Sequence, residues 1–227
     1  ESRQDHCELP AAGGLFQVVW PPAHPQAHGF MAGDLIWSDG GILARARQVA
    51  SPNQDARPRG ARIRLLVIHG ISLPPGCFRG SAIAKLFTNA LDHEAHESLA
   101  ALRGLRVSAH FLIRRGGTLL QFVACDRRAW HAGVSSWAGQ ARCNDFSIGI
   151  ELEGTDELPY TAPQYRQLAR LTRDLQMRYP ISDIVGHSDI APGRKTDPGP
   201  AFDWTAYRAS LQRRSKGIRA PIALTTR

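Results

Sequence analysis

Between Gly186 and Pro200 the chain reads GHSDIAPGRKTDPGP, a segment that carries an imidazole (His187), an ammonium (Lys195) and a carboxylate (Asp197) on a loop stiffened by Pro192, Gly193, Pro198 and Gly199. One imidazole and one carboxylate suit a divalent cation such as Zn2+. They cannot close its coordination sphere, because a hydrolytic zinc keeps three protein ligands and leaves the fourth position to water. His69 is the best third ligand. It ends the apolar run Leu65-Leu66-Val67-Ile68, the pattern of a buried strand, so its side chain emerges at a sheet edge.

Acidifying a water calls for a base nearby, and Glu151 interrupts an otherwise apolar strand, Ile148-Gly149-Ile150. Burial would raise its pKa and a metal charge would oppose that shift. The same pattern also fits a glutamate facing solvent. Lys195 could stabilise the oxyanion of a tetrahedral intermediate, or be a solvated loop lysine. His110 lies inside an alternating strand and reads as structural, while His131 reads as lining a cleft without touching metal. Trp130 could stack on a sugar ring or pack in the core. Arg106 and Arg142 have the fork geometry that clamps carboxylates, a property they share with every surface arginine.

The elements that must position these groups are partly legible. Arg64 to His69 and Phe146 to Leu152 read as strands, and Asp183 to Val185 as a short strand leading into His187. Arg106 to Ile113 and Thr118 to Val123 flank Arg114-Arg115-Gly116-Gly117, a hairpin with a glycine turn. Ser81 to Leu91 has apolar residues at helical spacing. Thr161 to Arg178 opens with Thr161 and Gln164, a capping box, and lines Tyr165, Leu168, Leu171, Thr172 and Leu175 along one face. A last helix is expected over Asp203 to Leu211. Ala50 to Arg59 reads as a loop. Strands mixed with helices predict an α/β fold, a single domain with a central mixed β-sheet flanked by helices.

The 227 residues, 43% of them hydrophobic, suffice for one substantial core. The net charge of +8 would raise nucleic acid as a partner. Residues 205–227, however, hold six Lys/Arg and no Asp or Glu, so much of the excess belongs to a basic C-terminal tail (213–227) and no nucleic acid is expected. Residues 1–34 read as a flexible N-terminal extension, with Met31 a possible true start, and 35–212 as the functional domain. The four cysteines show neither a CxxC pair nor zinc-finger spacing, which fits a reducing compartment. Neither a membrane anchor nor a signal peptide is recognisable.

Five blocks in order carry a resemblance: HGISLPPG (69–76), RVSAH (106–110), RAWHAGV (128–134), CNDFSIGIELEGTD (143–156) and GHSDIAPGRKTDPGPAFDW (186–204). Together they resemble the type-2 zinc amidases, related to peptidoglycan recognition proteins, and within them the branch acting on anhydro-muropeptides in bacterial cell-wall recycling. The resemblance implies zinc on His69, His187 and Asp197, Glu151 as base and Lys195 at the transition state. Aspartate as third ligand, where many relatives carry cysteine, points to that branch. It further implies Trp130 and Leu152 near the sugar, Arg106 and Arg142 near stem-peptide carboxylates, and a cytoplasmic monomer acting on a small muropeptide. The alternative is a non-catalytic peptidoglycan-fragment binding module of the same fold, which would be expected to lack a ligand or the base. A generic zinc peptidase is disfavoured because no HExxH helix is present.

Overall fold

The computed structural model describes residues 37–213. The expected N-terminal extension, and all but Arg213 of the C-terminal tail, lie outside the described residues.

The centre is a six-stranded mixed sheet built from β1 (Arg47–Gln48), β2 (Leu65–Ile71), β3 (Phe111–Ile113), β4 (Leu119–Gln121), β5 (Ser147–Glu153) and β6 (Asp183–Gly186). Their order across the sheet is β6-β2-β5-β3-β4-β1. Strands β6, β2, β5 and β3 run parallel, β3 and β4 pair antiparallel as the expected hairpin, and β1 joins β4 in parallel. The described residues also form four α-helices: α1 (Ala82–Phe87), α2 (Ala162–Arg178), α3 (His187–Ile190) and α4 (Trp204–Gln212).

The two faces of the sheet differ in what covers them. Leu66 and Ile68 of β2 and Ile148, Ile150 and Leu152 of β5 pack with Leu168, Leu171 and Leu175 of α2 and Tyr207 and Leu211 of α4 in one apolar core. Alternation sends Leu65, Val67 and His69, with Ser147, Gly149 and Glu151, to the other face. There Leu65 and Val67 meet Ala132, Cys143, Phe146 and Ile190. Every residue of β5 is buried, so its second face is a buried polar row.

Helix α2 begins as its sequence predicts. The Thr161 hydroxyl accepts from the Gln164 amide N–H, and the Gln164 side chain accepts from the Thr161 N–H at 3.0 Å. Gln164 Nε2 also donates to the Glu153 carbonyl at 2.9 Å, tying the helix to the end of β5. Helix α1 is shorter than its periodicity predicts, because Asn89 takes a left-handed φ of 59° and ends it. His187 opens a short helix instead of lying in a loop: Asp189 accepts from the Gly186 N–H at 2.7 Å and starts that turn.

Arg57, in the segment expected to be a loop, is half-swallowed by backbone. Its guanidinium donates to the carbonyls of Cys125, Asn144, Asp145 and Ser147 at 2.9–3.2 Å. Cys125 and Cys143 are buried free thiols. Cys77 is disulfide-bonded.

Candidate metal centre and active site

Three adjacent parallel strands deliver the site at their C-terminal ends. Glu151 of β5 is in register with His69 of β2, and Gly186 of β6 with Ile68, so His187 follows at the height of His69. Asp197 comes from the loop after α3, where its carbonyl accepts from the Ser188 N–H at 2.9 Å. Tyr160 braces that loop by donating to the Pro198 carbonyl at 2.9 Å. Its ring lies so close to Gly70 and Gly154 that a Cβ on either would fall 2.3 Å from a Tyr160 atom.

His69 Nδ1, His187 Nδ1 and Asp197 Oδ2 form a triangle with sides of 3.0, 3.1 and 3.2 Å. Both rings are buried. Three ligand atoms of a tetrahedral cation with bonds of about 2.0–2.1 Å lie about 3.3 Å apart, so the triangle has the size such an ion needs. The hydrogen bonding agrees. His187 Nε2 faces the Ala132 carbonyl at 3.2 Å, which can only accept, so that nitrogen carries a hydrogen. A neutral ring then turns a lone pair on Nδ1 toward the carboxylate, a repulsion that a cation between them relieves. Burial pushes His69 down to about 4, so it is neutral and ready to ligate. For Asp197, burial alone would raise the carboxyl, but the neighbouring His187 and His69 outweigh it and hold the group well below the ordinary range. His69, His187 and Asp197 are thus fit to hold a metal ion together.

Glu151 is buried, which settles the open alternative against a solvent-facing side chain. Burial, and then the Asp197 charge, push its carboxyl well above the ordinary value, while Lys195 pulls it down. Its Oε2 is buried without a protein hydrogen-bond partner, the condition of an atom awaiting a water or substrate. Lys195 is exposed and close enough to act electrostatically on both Glu151 and His69.

The other expected residues divide. His110 is structural: its Nδ1 accepts from the Gly149 N–H and its Nε2 meets the Arg127 carbonyl, both at 3.1 Å. His131 lies 3.0 Å from His69 Nε2, so it contacts a ligand histidine directly. Trp130 is half-buried, and its backbone N–H donates to the Ser108 hydroxyl at 3.1 Å. Arg106 is exposed in a hollow beside α1, with Leu86, Asn89 and Leu91. Arg142 is exposed and pairs with Asp145 at 3.2 Å. The expectation for Leu152 requires correction: its side chain is fully buried on the α2 face, opposite Glu151, because strand neighbours alternate, and cannot reach a sugar in the cleft. A groove of about 470 Å³ between α2 and α4, lined by Arg166, Arg170, Arg173 and Arg213, holds none of the catalytic candidates.

Sequence reasoning missed Asn144, Tyr160 and Arg57. A signal existed for Tyr160 alone: glycines at the ends of two neighbouring strands, Gly70 and Gly154, mark a place where something large comes close.

The sequence profile of the N-acetylmuramoyl-L-alanine amidase family matches residues 59–200. The 1,6-anhydro-N-acetylmuramyl-L-alanine amidase AmpD of Citrobacter freundii is 58% identical over 173 residues, covering 75% of this chain and 92% of that protein. AmpD of Escherichia coli strain K12 is 57% identical over 175 residues, covering 76% and 96%. A crystal structure of a selenomethionine derivative of AmpD shares 57% identity at a TM-score of 0.75, covering 77% of this chain and 98% of its own. With a family match that takes in every metal and acid–base candidate, and relatives aligned over nearly their whole length, the chain belongs to the N-acetylmuramoyl-L-alanine amidase family.

Proposed function

We propose that this chain is a zinc-dependent amidase that hydrolyses the amide between the lactyl group of 1,6-anhydro-N-acetylmuramic acid and L-Ala of the stem peptide, as the names of its AmpD relatives describe for those proteins. The observation that carries the reading is the convergence of His69, His187 and Asp197 beside the buried carboxyl of Glu151, whose Oε2 has no protein hydrogen-bond partner. Two histidines and one carboxylate suit zinc among common divalent ions, and a bound zinc supplies an acidified water and a polarised carbonyl. Water adds to the lactyl carbonyl carbon, and Glu151 takes its proton. Glu151 returns that proton to the L-Ala nitrogen as the C–N bond breaks. A carboxyl whose pKa burial has raised is suited to both halves of this transfer. The Lys195 ammonium faces the oxygen on which negative charge gathers.

Trp130 is the proposed sugar contact, and Arg106 and Arg142 are the proposed partners of stem-peptide carboxylates. Both arginines are exposed, although Arg142 would share its guanidinium with Asp145. No described helix is long and apolar enough to cross a membrane. The proposed setting is the bacterial cytoplasm, with the chain acting as a monomer. A binding module without catalysis would not need a buried base beside a complete ligand set.

The test is release of a free L-Ala amino terminus from an anhydro-muramoyl tripeptide by the zinc-loaded protein. Glu151→Ala and Lys195→Ala should each lower kcat by about a hundredfold or more while keeping zinc. Asp197→Ala should lose stoichiometric zinc. A Glu151→Ala protein with near-normal kcat, or an Asp197→Ala protein with full zinc, would sink the corresponding assignment.

A further inference from the structure

A histidine that binds metal through Nδ1 must keep its lone pair there, so its ring hydrogen belongs on Nε2 and needs an acceptor. Both acceptors come from two consecutive residues: His131 Nδ1 stands 3.0 Å from His69 Nε2, and the Ala132 carbonyl stands 3.2 Å from His187 Nε2. This dipeptide is itself held. Asn144 Oδ1 accepts from the backbone N–H groups of both His131 and Ala132, at 3.2 and 2.9 Å.

The tautomers are consistent along the whole chain of contacts. If His69 donates from Nε2, then His131 Nδ1 must accept, and the His131 hydrogen lies on Nε2, where Ser147 Oγ stands 3.1 Å away. The sheet makes room for this ring at one position. A Cβ on Gly149 would fall 2.4–2.7 Å from three atoms of the His131 imidazole, so only glycine lets it lie flat on β5. The His69 and His131 rings meet edge to face, 5.0 Å between centroids, which leaves little freedom to rotate.

We infer that His131–Ala132, pinned by Asn144, is a positioning element that fixes the tautomer and ring direction of both histidine ligands and thereby sets the affinity of the centre for zinc. His131 and Asn144 are positioning residues, since they act through His69 and His187 and touch neither ion nor substrate. The inference rests on the metal reading above.

The experiment is the zinc dissociation constant of full-length protein, measured by competition with a chromogenic chelator, with the melting temperature of the metal-free form measured alongside. His131→Asn keeps an acceptor oxygen close to where Nδ1 stood and should bind zinc within about threefold of wild type. His131→Gln sends its amide toward Ser147 instead and should bind about 10–100-fold more weakly. In the same way Asn144→Asp retains the shared acceptor, whereas Asn144→Ala should lose about tenfold or more without a matching fall in the metal-free melting temperature. Equal affinities within either pair overturn the inference, as does weakening that tracks loss of fold in the metal-free state. A wild-type protein that takes up no zinc overturns the metal reading as well, so the two failures are distinct.

Discussion

Glu151 is where function and stability oppose each other. Its carboxyl is buried, one oxygen lacks a partner, and burial followed by the Asp197 charge raises its pKa. A group whose folded pKa lies above its unfolded value favours the protonated form in the folded state. Its ionisation therefore costs stability at high pH, and the cost disappears as pH falls through the folded pKa toward the ordinary glutamate range. Glu151→Gln should stabilise the metal-free protein at pH 8 by about 1–2 kcal/mol, a rise in Tm of a few degrees, with a smaller gain at pH 5. Calorimetry of both proteins across that range decides it, and a Tm at pH 8 no higher than wild type would show that the buried charge is already compensated. At this scale the sequence pointed to the proposed ligand His69 and the proposed base Glu151, because each sits at an anomaly: a histidine ending an apolar run, a glutamate breaking one. It was silent on Asn144, whose role depends on two backbone N–H groups that no side-chain pattern announces. Arg57 was equally hidden, since its partners are carbonyls from turns far along the chain.

At the scale of elements, patterns that are local were legible and those that depend on packing were not. The Thr161–Gln164 box is written within four positions, and the helix starts where it says. Leu152 went the other way. The family resemblance implied a place near the sugar, yet strand alternation puts it in the opposite layer. The box also does more than start a helix, since the Thr161 hydroxyl donates to the Arg115 carbonyl at 2.6 Å and Gln164 reaches the last residue of β5. Thr161→Ala should accordingly lower stability by about 1–2 kcal/mol, or roughly 2–8 °C in Tm. Thermal unfolding followed by circular dichroism checks this, and a Tm within a degree of wild type would mean that other contacts hold the helix entrance.

The molecule as a whole is organised around strands that are neighbours in space and distant along the chain. His69 and Glu151 sit on β2 and β5, His187 directly follows β6 with Asp197 in the loop beyond, and these three strands lie side by side in parallel. Parallel neighbours cannot be joined by a tight turn, so each junction closes only after a long crossover has found its place, and such distant contacts form slowly. Until they close, only His187 and Asp197, 10 residues apart along the chain, can be near each other, and the unfolded chain offers an ion no more than that pair. On the proposed zinc reading, uptake of the ion is then a clock for the end of folding. On dilution from denaturant, helical circular dichroism should recover first, and capture of zinc from a fluorescent chelator should trail it, with a rate independent of zinc concentration once the ion is in excess. A capture rate that instead climbs in proportion to zinc, and keeps pace with the helical signal, would mean that the ion gathers its ligands early and guides the sheet into register.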